Sequence, residues 1–121
     1  MIKISVDEAY AWDMLAVLHI KSELSSDEKN LTNFLEFLDN MTSELGIGLC
    51  NTILASEEYK CLKHANHTVF NLIELICKER GGLVYTDALT VHDANMQRFT
   101  AKKALQQKFF NTNLTEQKTI L

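Results

Sequence analysis

Adjacent His92 and Asp93 are the residues of this sequence that suggest chemistry most directly. Some helical phosphohydrolases hold a metal ion with this dipeptide, together with an upstream histidine and a distal aspartate on another helix. His64 or His67 could serve upstream, but no aspartate follows Asp93 in the sequence. On a helix that turns by about 100° per residue, Asp93 also points roughly 160° away from Asn95. We therefore predict that the dipeptide lies on an ordinary helix surface.

Two other sets of residues have the side chains of metal ligands but incomplete spacing. Cys61, His64 and His67 lie three residues apart and could supply part of a zinc site, which needs further ligands from elsewhere. Glu36 and Asp39 form half of the magnesium motif of all-helical nucleotide pyrophosphohydrolases, whose paired upstream E-x-x-E is missing here. A G-x-S-x-G motif and a glycine-rich phosphate loop are also missing. We predict no metal and no cofactor, and the catalytic residues of any reaction are unknown.

Polar side chains interrupt the apolar faces of three predicted helices. Asp13 lies in the middle of the apolar face of the first helix, and Asn66 takes an aliphatic position on a later one. Asn95, Arg98 and Lys102 share a face with apolar residues of the last helix. A buried charge without a partner is costly, so we expect such residues to contact one another or a ligand.

A hairpin of the last two long helices, turning near residue 83, would bring these polar residues together. Asn66 would lie level with residues 95 to 102, and Glu74 would lie level with His92 and Asn95. The candidate ligand-binding residues are Asp13, Asn66, Glu74, Asn95, Arg98 and Lys102. Two interpretations stay open: Asp13 and Arg98 form an internal ion pair with the asparagines bridging helices, or the cluster binds a phosphate or carboxylate.

The elements that must position these residues are helices. The first is predicted to begin after Ser5, which forms an S-x-x-E capping box with Glu8, and to run to about Leu24. A second helix is predicted over residues 27–45, with Gly46 as its left-handed stop. Its apolar residues recur at helical spacing on one face, which is typical of an amphipathic helix packed on a core.

Two longer helices are predicted in the second half of the chain. Ser56 is the expected N-cap of a helix from Glu57 to about Arg80, which two glycines terminate. Thr86 is the expected N-cap of a helix from Asp87 to about Phe110. The segment 47–55 between the second and third helices is ambiguous, and is expected to be a loop with one short helical turn.

The fold class predicted from these elements is all-α, a mainly antiparallel bundle of four helices with a short extra segment and a C-terminal arm over residues 111–121. The chain has 121 residues, which suits a single helical domain spanning residues 1–121. It contains no proline, and its four glycines fall at only two places, so the helices have few internal breaks.

Some helices carry more apolar surface than a four-helix bundle can bury. The first helix has Trp12, Met14, Leu15 and Leu18 around the rest of its circumference. A helix that is apolar on most sides must be surrounded. A second apolar seam on the third helix runs through Cys61, Thr68, Leu72 and Leu75. We therefore predict a homodimer; the alternative is that the segment 47–55 and the C-terminal arm cover these surfaces.

Composition excludes several partners. The formal net charge of −4 has the wrong sign for a surface that follows nucleic-acid phosphates, so we expect no nucleic acid. The apolar runs are too short to span a bilayer, and the N-terminus has no signal-peptide pattern, so we expect no membrane and a cytoplasmic location. Three cysteines without C-x-x-C spacing are expected to be free thiols.

Several segments resemble a family of short helical proteins from bacteria and phages that is known only as a domain of unknown function. These segments are "IKISVDEAYAWDMLAVLHIK", "LKHANHTVFNLIEL", "YTDALTVHDANMQRFTAKKALQ" and "LTEQKTI". The family pattern matches this sequence at Asp13, Lys21, Asn66, Glu74, Asn95, Arg98 and Lys102. Some members are encoded among genes for surface-polysaccharide synthesis, which implies a loose association with sugar or nucleotide-sugar metabolism.

This sequence departs from the family pattern at three positions. Phe70 stands where family members have Trp, and Cys77 lies near a position where they usually have Arg. Met96 stands where family members have an Asp directly after the Asn that matches Asn95. The last two changes remove charges, which argues against an enzyme. We predict a non-catalytic interaction or accessory module with a structural polar cluster. The alternative is a protein or enzyme that binds a phosphate- or carboxylate-bearing small molecule, such as a nucleotide sugar, through the same cluster.

Overall fold

The computed structural model describes residue 2 and residues 5–80 and 85–114. Within these ranges the chain forms five helices and no strand, so the predicted all-α class is confirmed. The helices are α1 (Glu8–Leu24), α2 (Glu28–Leu45), α3 (Ile47–Leu54), α4 (Glu57–Arg80) and α5 (Tyr85–Phe110). None of the described helices is both long enough and apolar enough to cross a membrane.

Local capping signals position two of the helices as the sequence predicts. The Asp27 carboxylate accepts a hydrogen bond of 3.0 Å from the backbone N–H of Lys29 at the start of α2. At the end of α2, Gly46 has a φ of +90°, a conformation that a side chain would strain. Ser56 Oγ accepts a hydrogen bond of 3.1 Å from the Tyr59 N–H, and α4 begins at Glu57.

The predicted capping box of α1 is wrong. The helix begins at Glu8 with Asp7 as N-cap, and no side chain of the N-cap bonds to the first turn. Instead, Gln106 Oε1 from α5 accepts a hydrogen bond of 2.8 Å from the Ala9 N–H, and the Gln106 side chain is fully buried. A cap supplied 97 residues away along the chain has no local sequence signature.

Two other predicted boundaries also need correction. The segment after Gly46 is the two-turn helix α3, because Cys50 and Ile53 lie on one helical face and bury it in the core. Helix α5 begins at Tyr85, so Thr86 lies inside the helix and is not its N-cap. The predicted glycine stop of α4, at positions 81 and 82, lies outside the described residues.

Helix α1 is central, because it packs against α2, α4 and α5. Its Trp12 is fully buried and meets the Tyr59 ring edge-on, at 5.8 Å between ring centroids. Trp12 Nε1 has no hydrogen-bond partner within the described residues. The main core cluster comprises Ala9, Trp12, Leu15, Ala16, Met41, Cys50, Ile53, Tyr59, Leu62 and Leu105.

Helices α4 and α5 form an antiparallel hairpin. Glu58 near the start of α4 pairs with Lys108 near the end of α5, with 2.9 Å between Oε1 and Nζ. One face of this hairpin packs against α1. The residues that follow α5 turn back toward this end, where Thr112 Oγ1 accepts a hydrogen bond of 2.8 Å from Gln106 and Leu114 packs on the core. The rest of the predicted C-terminal arm, residues 115–121, lies outside the described residues.

Candidate functional site

The candidate site is centred on Asp13 of α1. Its position among Ala9, Trp12 and Ala16 places its carboxylate on the helix face that packs on the hairpin, and the residue is only 6% exposed. A carboxylate removed from water at this position must be compensated by charged or hydrogen-bonding neighbours. The structure supplies those neighbours from both helices of the hairpin.

Arg98 of α5 binds Asp13 with two parallel hydrogen bonds. Nε donates to Oδ1 at 3.0 Å, and one terminal nitrogen, Nη2, donates to Oδ2 at 2.6 Å. This fork geometry is the strongest pairing available to a carboxylate and a guanidinium, since two aligned charge-assisted bonds form together. The Arg98 side chain stays 32% exposed, so its outer edge faces solvent.

Two further residues complete the surroundings of Asp13. Asn66 of α4 donates from Nδ2 to Oδ1 of Asp13 at 2.8 Å and to the Leu62 carbonyl at 3.1 Å. Lys102 of α5 has its Nζ 3.9 Å from Oδ2, and the same ammonium group lies 4.1 Å from the centroid of the Tyr10 ring. One carboxylate therefore joins α1 to both α4 and α5.

These contacts keep Asp13 ionised. Burial raises the pKa of the carboxyl, but the hydrogen bonds from Arg98 and Asn66 and the charges of Arg98 and Lys102 outweigh burial. The pKa of Asp13 is therefore lowered from its usual value. A carboxylate with these partners is a poor proton acceptor, because each of its oxygens already accepts a hydrogen bond.

The structure brings four of the six candidate residues together, namely Asp13, Asn66, Arg98 and Lys102. Glu74 is not among them: it is exposed and lines a surface depression with Asn71 and Lys78. It lies eight residues beyond Asn66, which is about 12 Å further along α4. A hairpin can place Glu74 level with the last helix as predicted, but Asp13 contacts α4 at Asn66, about two turns away from Glu74.

Asn95 also stays outside the ion-pair cluster. Its Nδ2 donates to the Val91 carbonyl one turn earlier in α5, at 3.2 Å. The side chain is half-buried and lies about one turn from Arg98. A side-chain bond to the helix's own backbone is a common way for Asn to be satisfied inside a helix.

The other motifs of the sequence lie at the surface. Asp93 is exposed and His92 is half-buried, while Glu36 and Asp39 of α2 are both exposed. Throughout residues 5–80 and 85–114, no three His, Cys, Asp or Glu side chains are grouped closely enough to hold a metal ion. The residues of the weak metal motifs therefore do not form such a group in this part of the chain.

A narrow cleft opens beside the Asp13 cluster. It has a volume of about 180 Å³ and lies between α1, the middle of α4 and Arg98 of α5. Asn66 and Arg98 form its polar wall, and Phe70 and Ile73, each 39% exposed, lie at its mouth. The cleft is otherwise apolar, with Val17, Ile20 and Val69 in its lining.

A second polar network, which the sequence reasoning missed, joins α1 to the first half of α4. His19 Nδ1 and Tyr59 Oη are hydrogen-bonded at 3.0 Å, and His19 Nε2 lies 3.6 Å from Glu23, which also pairs with Lys63. Burial lowers the pKa of His19, with a further contribution from the Lys63 charge, and burial raises the pKa of Tyr59. In the sequence, only the i,i+4 spacing of His19 and Glu23 indicates this network. No local pattern indicates that Tyr59 and Lys63 of α4 join it.

Comparison with protein-family models, with curated proteins and with solved structures finds no match for this chain. The resemblance to short helical bacterial and phage proteins thus stays a prediction from short segments. The geometry of the Asp13 cluster and of the hairpin surfaces is the basis for a functional conclusion.

Proposed function

We propose that this chain is a non-catalytic interaction module that works as a homodimer, and that its polar cluster is structural. The observation that carries this proposal is the engagement of both Asp13 oxygens by Arg98 and Asn66 at 6% exposure. A general base or a metal ligand needs a lone pair that can reach its substrate. In this cluster the lone pairs of both Asp13 oxygens already accept hydrogen bonds from side chains of α4 and α5.

The cluster instead has the properties of a clamp between three helices. Asp13 on α1 holds Asn66 on α4 and Arg98 on α5 with three hydrogen bonds of 2.6 to 3.0 Å. These bonds are directional, so they favour one register of α1 on the hairpin over neighbouring ones. A rigid hairpin is a suitable platform for a partner, because little conformational freedom is then lost on association.

The same proposal includes the finer features that the sequence predicts. The four longer helices form a mainly antiparallel bundle completed by a C-terminal arm, and the protein acts in the cytoplasm. The antiparallel α4–α5 pair supports the antiparallel bundle. The return of residues 111–114 onto the core supports the C-terminal arm. The cytoplasmic location rests on composition alone.

Substitution of Arg98 tests the structural role of the cluster. Arg98→Met removes both hydrogen bonds of the guanidinium and leaves the buried Asp13 carboxylate with Asn66 and the more distant Lys102, and we expect the free energy of unfolding to fall by about 3 to 5 kcal/mol. Denaturant titration followed by circular dichroism measures this loss. The matched control is Lys78→Met, which removes an exposed cation from α4 and should change stability by less than about 0.5 kcal/mol. An Arg98→Met protein as stable as the wild type would overturn the structural role.

The cleft beside the cluster favours a second candidate function, the binding of a small molecule that carries a phosphate or carboxylate. The exposed edge of Arg98 lines this cleft, and its Nη1 has no partner within the described residues. Guanidinium groups are well suited to such anions, and the apolar wall would contact the rest of the ligand.

A thermal-shift screen distinguishes this candidate from the interaction module. The panel contains nucleotides, nucleotide sugars, sugar phosphates and divalent metals, and a ligand at 100 times its Kd stabilises the fold by about 2.7 kcal/mol. Small-molecule binding predicts a rise in Tm that Arg98→Lys abolishes while the protein stays folded. A rise that survives Arg98→Lys would exclude this cleft as the binding site.

A further inference from the structure

The hairpin has a second face, opposite to α1, that no described helix covers. We name it the back face and define it by Ala65, Leu72 and Leu75 on α4 and by Leu89, Thr100 and Ala104 on α5. Leu75 and Leu89 are 51% and 49% exposed, and Thr100 and Ala104 are also exposed. The back face therefore exposes the side chains of Leu75, Leu89, Thr100 and Ala104, while Ala65 is buried and Leu72 is half-buried.

The half of the back face near the start of α4 is hollow. Small side chains form part of its lining on both helices, including Ala65 of α4 and Thr100, Ala101 and Ala104 of α5, and the longer side chains of Lys60, His64, Met96 and Gln97 complete it. Together they leave an open trough of about 680 Å³. Cys61 lies at the same end and is exposed. Close approach of another helix is easiest over small residues of this kind.

The other half of the back face, toward the α4–α5 connection, is raised. Leu72 is half-buried there, while Leu75 and Leu89 project into solvent. The ridge and the trough lie on either side of the middle of α4. Leu75 follows the middle of α4 by six to seven residues, and Cys61 precedes it by seven to eight, which is about 10 and 11 Å.

We propose that two copies of this chain pack back face to back face in an antiparallel arrangement about a two-fold axis, so that the ridge of each copy fills the trough of the other. The inference rests on the proposed homodimer and assigns its interface. A parallel arrangement would set ridge on ridge and leave the two troughs facing each other across a void. The antiparallel arrangement buries the exposed leucines of both copies and forms a four-helix layer.

The size of the back face suits a stable dimer. Helix α4 has 24 residues and is therefore about 36 Å long. Two neighbouring helices spaced by 8 to 10 Å present a face about 20 Å wide. Their product, about 700 Å², is close to the roughly 800 Å² that each partner buries in a standard stable interface.

Charges on α5 favour the same antiparallel arrangement. Asp93 and Lys103 are exposed, and neither has an ion-pair partner within the described residues. They lie on opposite sides of the middle of α5, about 15 Å apart along the helix. When α5 packs on the α5 helix of a second copy in the opposite direction, Asp93 of each copy lies level with Lys103 of the other.

The first experiment blocks the trough. Ala104→Arg places a long cation where the ridge of the second copy would lie, and we expect the dimer Kd to rise at least tenfold in light scattering after size exclusion and in sedimentation equilibrium. Ala88→Arg is the matched control, since it makes the same change at an exposed position of α5 away from the back face. Its Kd should equal that of the wild type.

The outcomes separate the interface from the proposed function. A wild-type chain that stays monomeric at micromolar concentration overturns both. A wild-type dimer whose Kd is unchanged by Ala104→Arg overturns the back-face interface only and leaves the homodimer in place. An equal rise in dimer Kd for Ala104→Arg and Ala88→Arg also overturns the interface, because the effect would then not be specific to the trough.

Charge exchange and cross-linking test the orientation. Asp93→Lys or Lys103→Asp alone should each raise the dimer Kd by about tenfold, since two symmetry-related contacts change sign, and the double exchange should restore the Kd. In a Cys77→Ser protein, Leu75→Cys should form a disulfide across the dimer with Cys61, and adding Cys61→Ser should prevent it. The antiparallel arrangement is overturned if the double exchange has a higher dimer Kd than either single change. It is also overturned if no disulfide forms in a protein that is still dimeric.

Discussion

Asp13 links the stability of the fold to pH at the scale of a single residue. Its pKa is lowered in the folded protein from an ordinary value of 3.8, so the unfolded chain takes up the proton first as the pH falls. The stability that Asp13 contributes is present above that ordinary value, and it is lost as the pH falls through the folded pKa.

Asp13→Asn should reduce this dependence. We expect the free energy of unfolding of the wild type to decrease more steeply with falling pH below about 4 than that of the variant. Denaturant titrations of both proteins from neutral pH into this region provide the comparison. Glu23 and Glu58 also have lowered pKa values, so the difference between the two curves is the quantity that belongs to Asp13. Parallel curves would show that Asp13 titrates alike in both states.

The residues of the cluster were partly predictable, for a physical reason. Asp13, Asn66 and Arg98 interrupt apolar helix faces, and a polar group on such a face must find a partner when the face is buried. Helical periodicity therefore identified them. It could not identify the position of α1 along the hairpin, which depends on the packing of Trp12 and Tyr59. Glu74 was included for that reason, although its side chain is exposed.

At the scale of helices, a contact between α1 and α5 determines where α1 begins, and Gln106 of α5 makes it. Its side chain accepts from the Ala9 N–H at 2.8 Å and donates to Thr112 at 2.8 Å, so it connects α1, α5 and the residues after α5. Gln106→Leu keeps a similar volume but leaves the Ala9 donor unpaired near a fully buried position. We expect a loss of about 1 to 3 kcal/mol in the free energy of unfolding by chemical denaturation.

The exposed Gln107 provides the control for this element. Gln107→Leu changes the adjacent residue of α5, whose side chain bonds to Asn113 at the surface. It should change stability by about 0.5 kcal/mol or less. Equal effects of the two substitutions would indicate that the capping bond contributes nothing beyond helix propensity.

The elements whose ends are determined by neighbours in sequence were predictable, and the others were not. Ser56 and Asp27 cap the helices that follow them through bonds within three residues. Helix α3 has only eight residues and includes Gly48, so its own propensity is weak and its burial through Cys50 and Ile53 decides its structure. The start of α1 depends on a residue from the far end of the chain.

At the scale of the whole molecule, the proposed back-face dimer predicts that stability depends on protein concentration. Association of folded copies removes folded monomer from the unfolding equilibrium, so the Tm should rise with concentration. We expect a rise in wild-type Tm between low and high micromolar protein in circular dichroism melts. At high concentration the Tm of Ala104→Arg should lie below that of the wild type, and it should change less with concentration than the wild-type Tm does. A wild-type Tm that does not change with concentration would contradict the dimer.

Trp12 offers a way to observe the two processes separately. It is the only tryptophan in the sequence, it is fully buried, and it lies on α1, across the hairpin from the back face. Its fluorescence should therefore be blue-shifted in the folded protein and should stay so whether or not two copies associate. A red shift would report loss of the α1 core alone, so emission recorded during dilution would separate dissociation from unfolding without an added label.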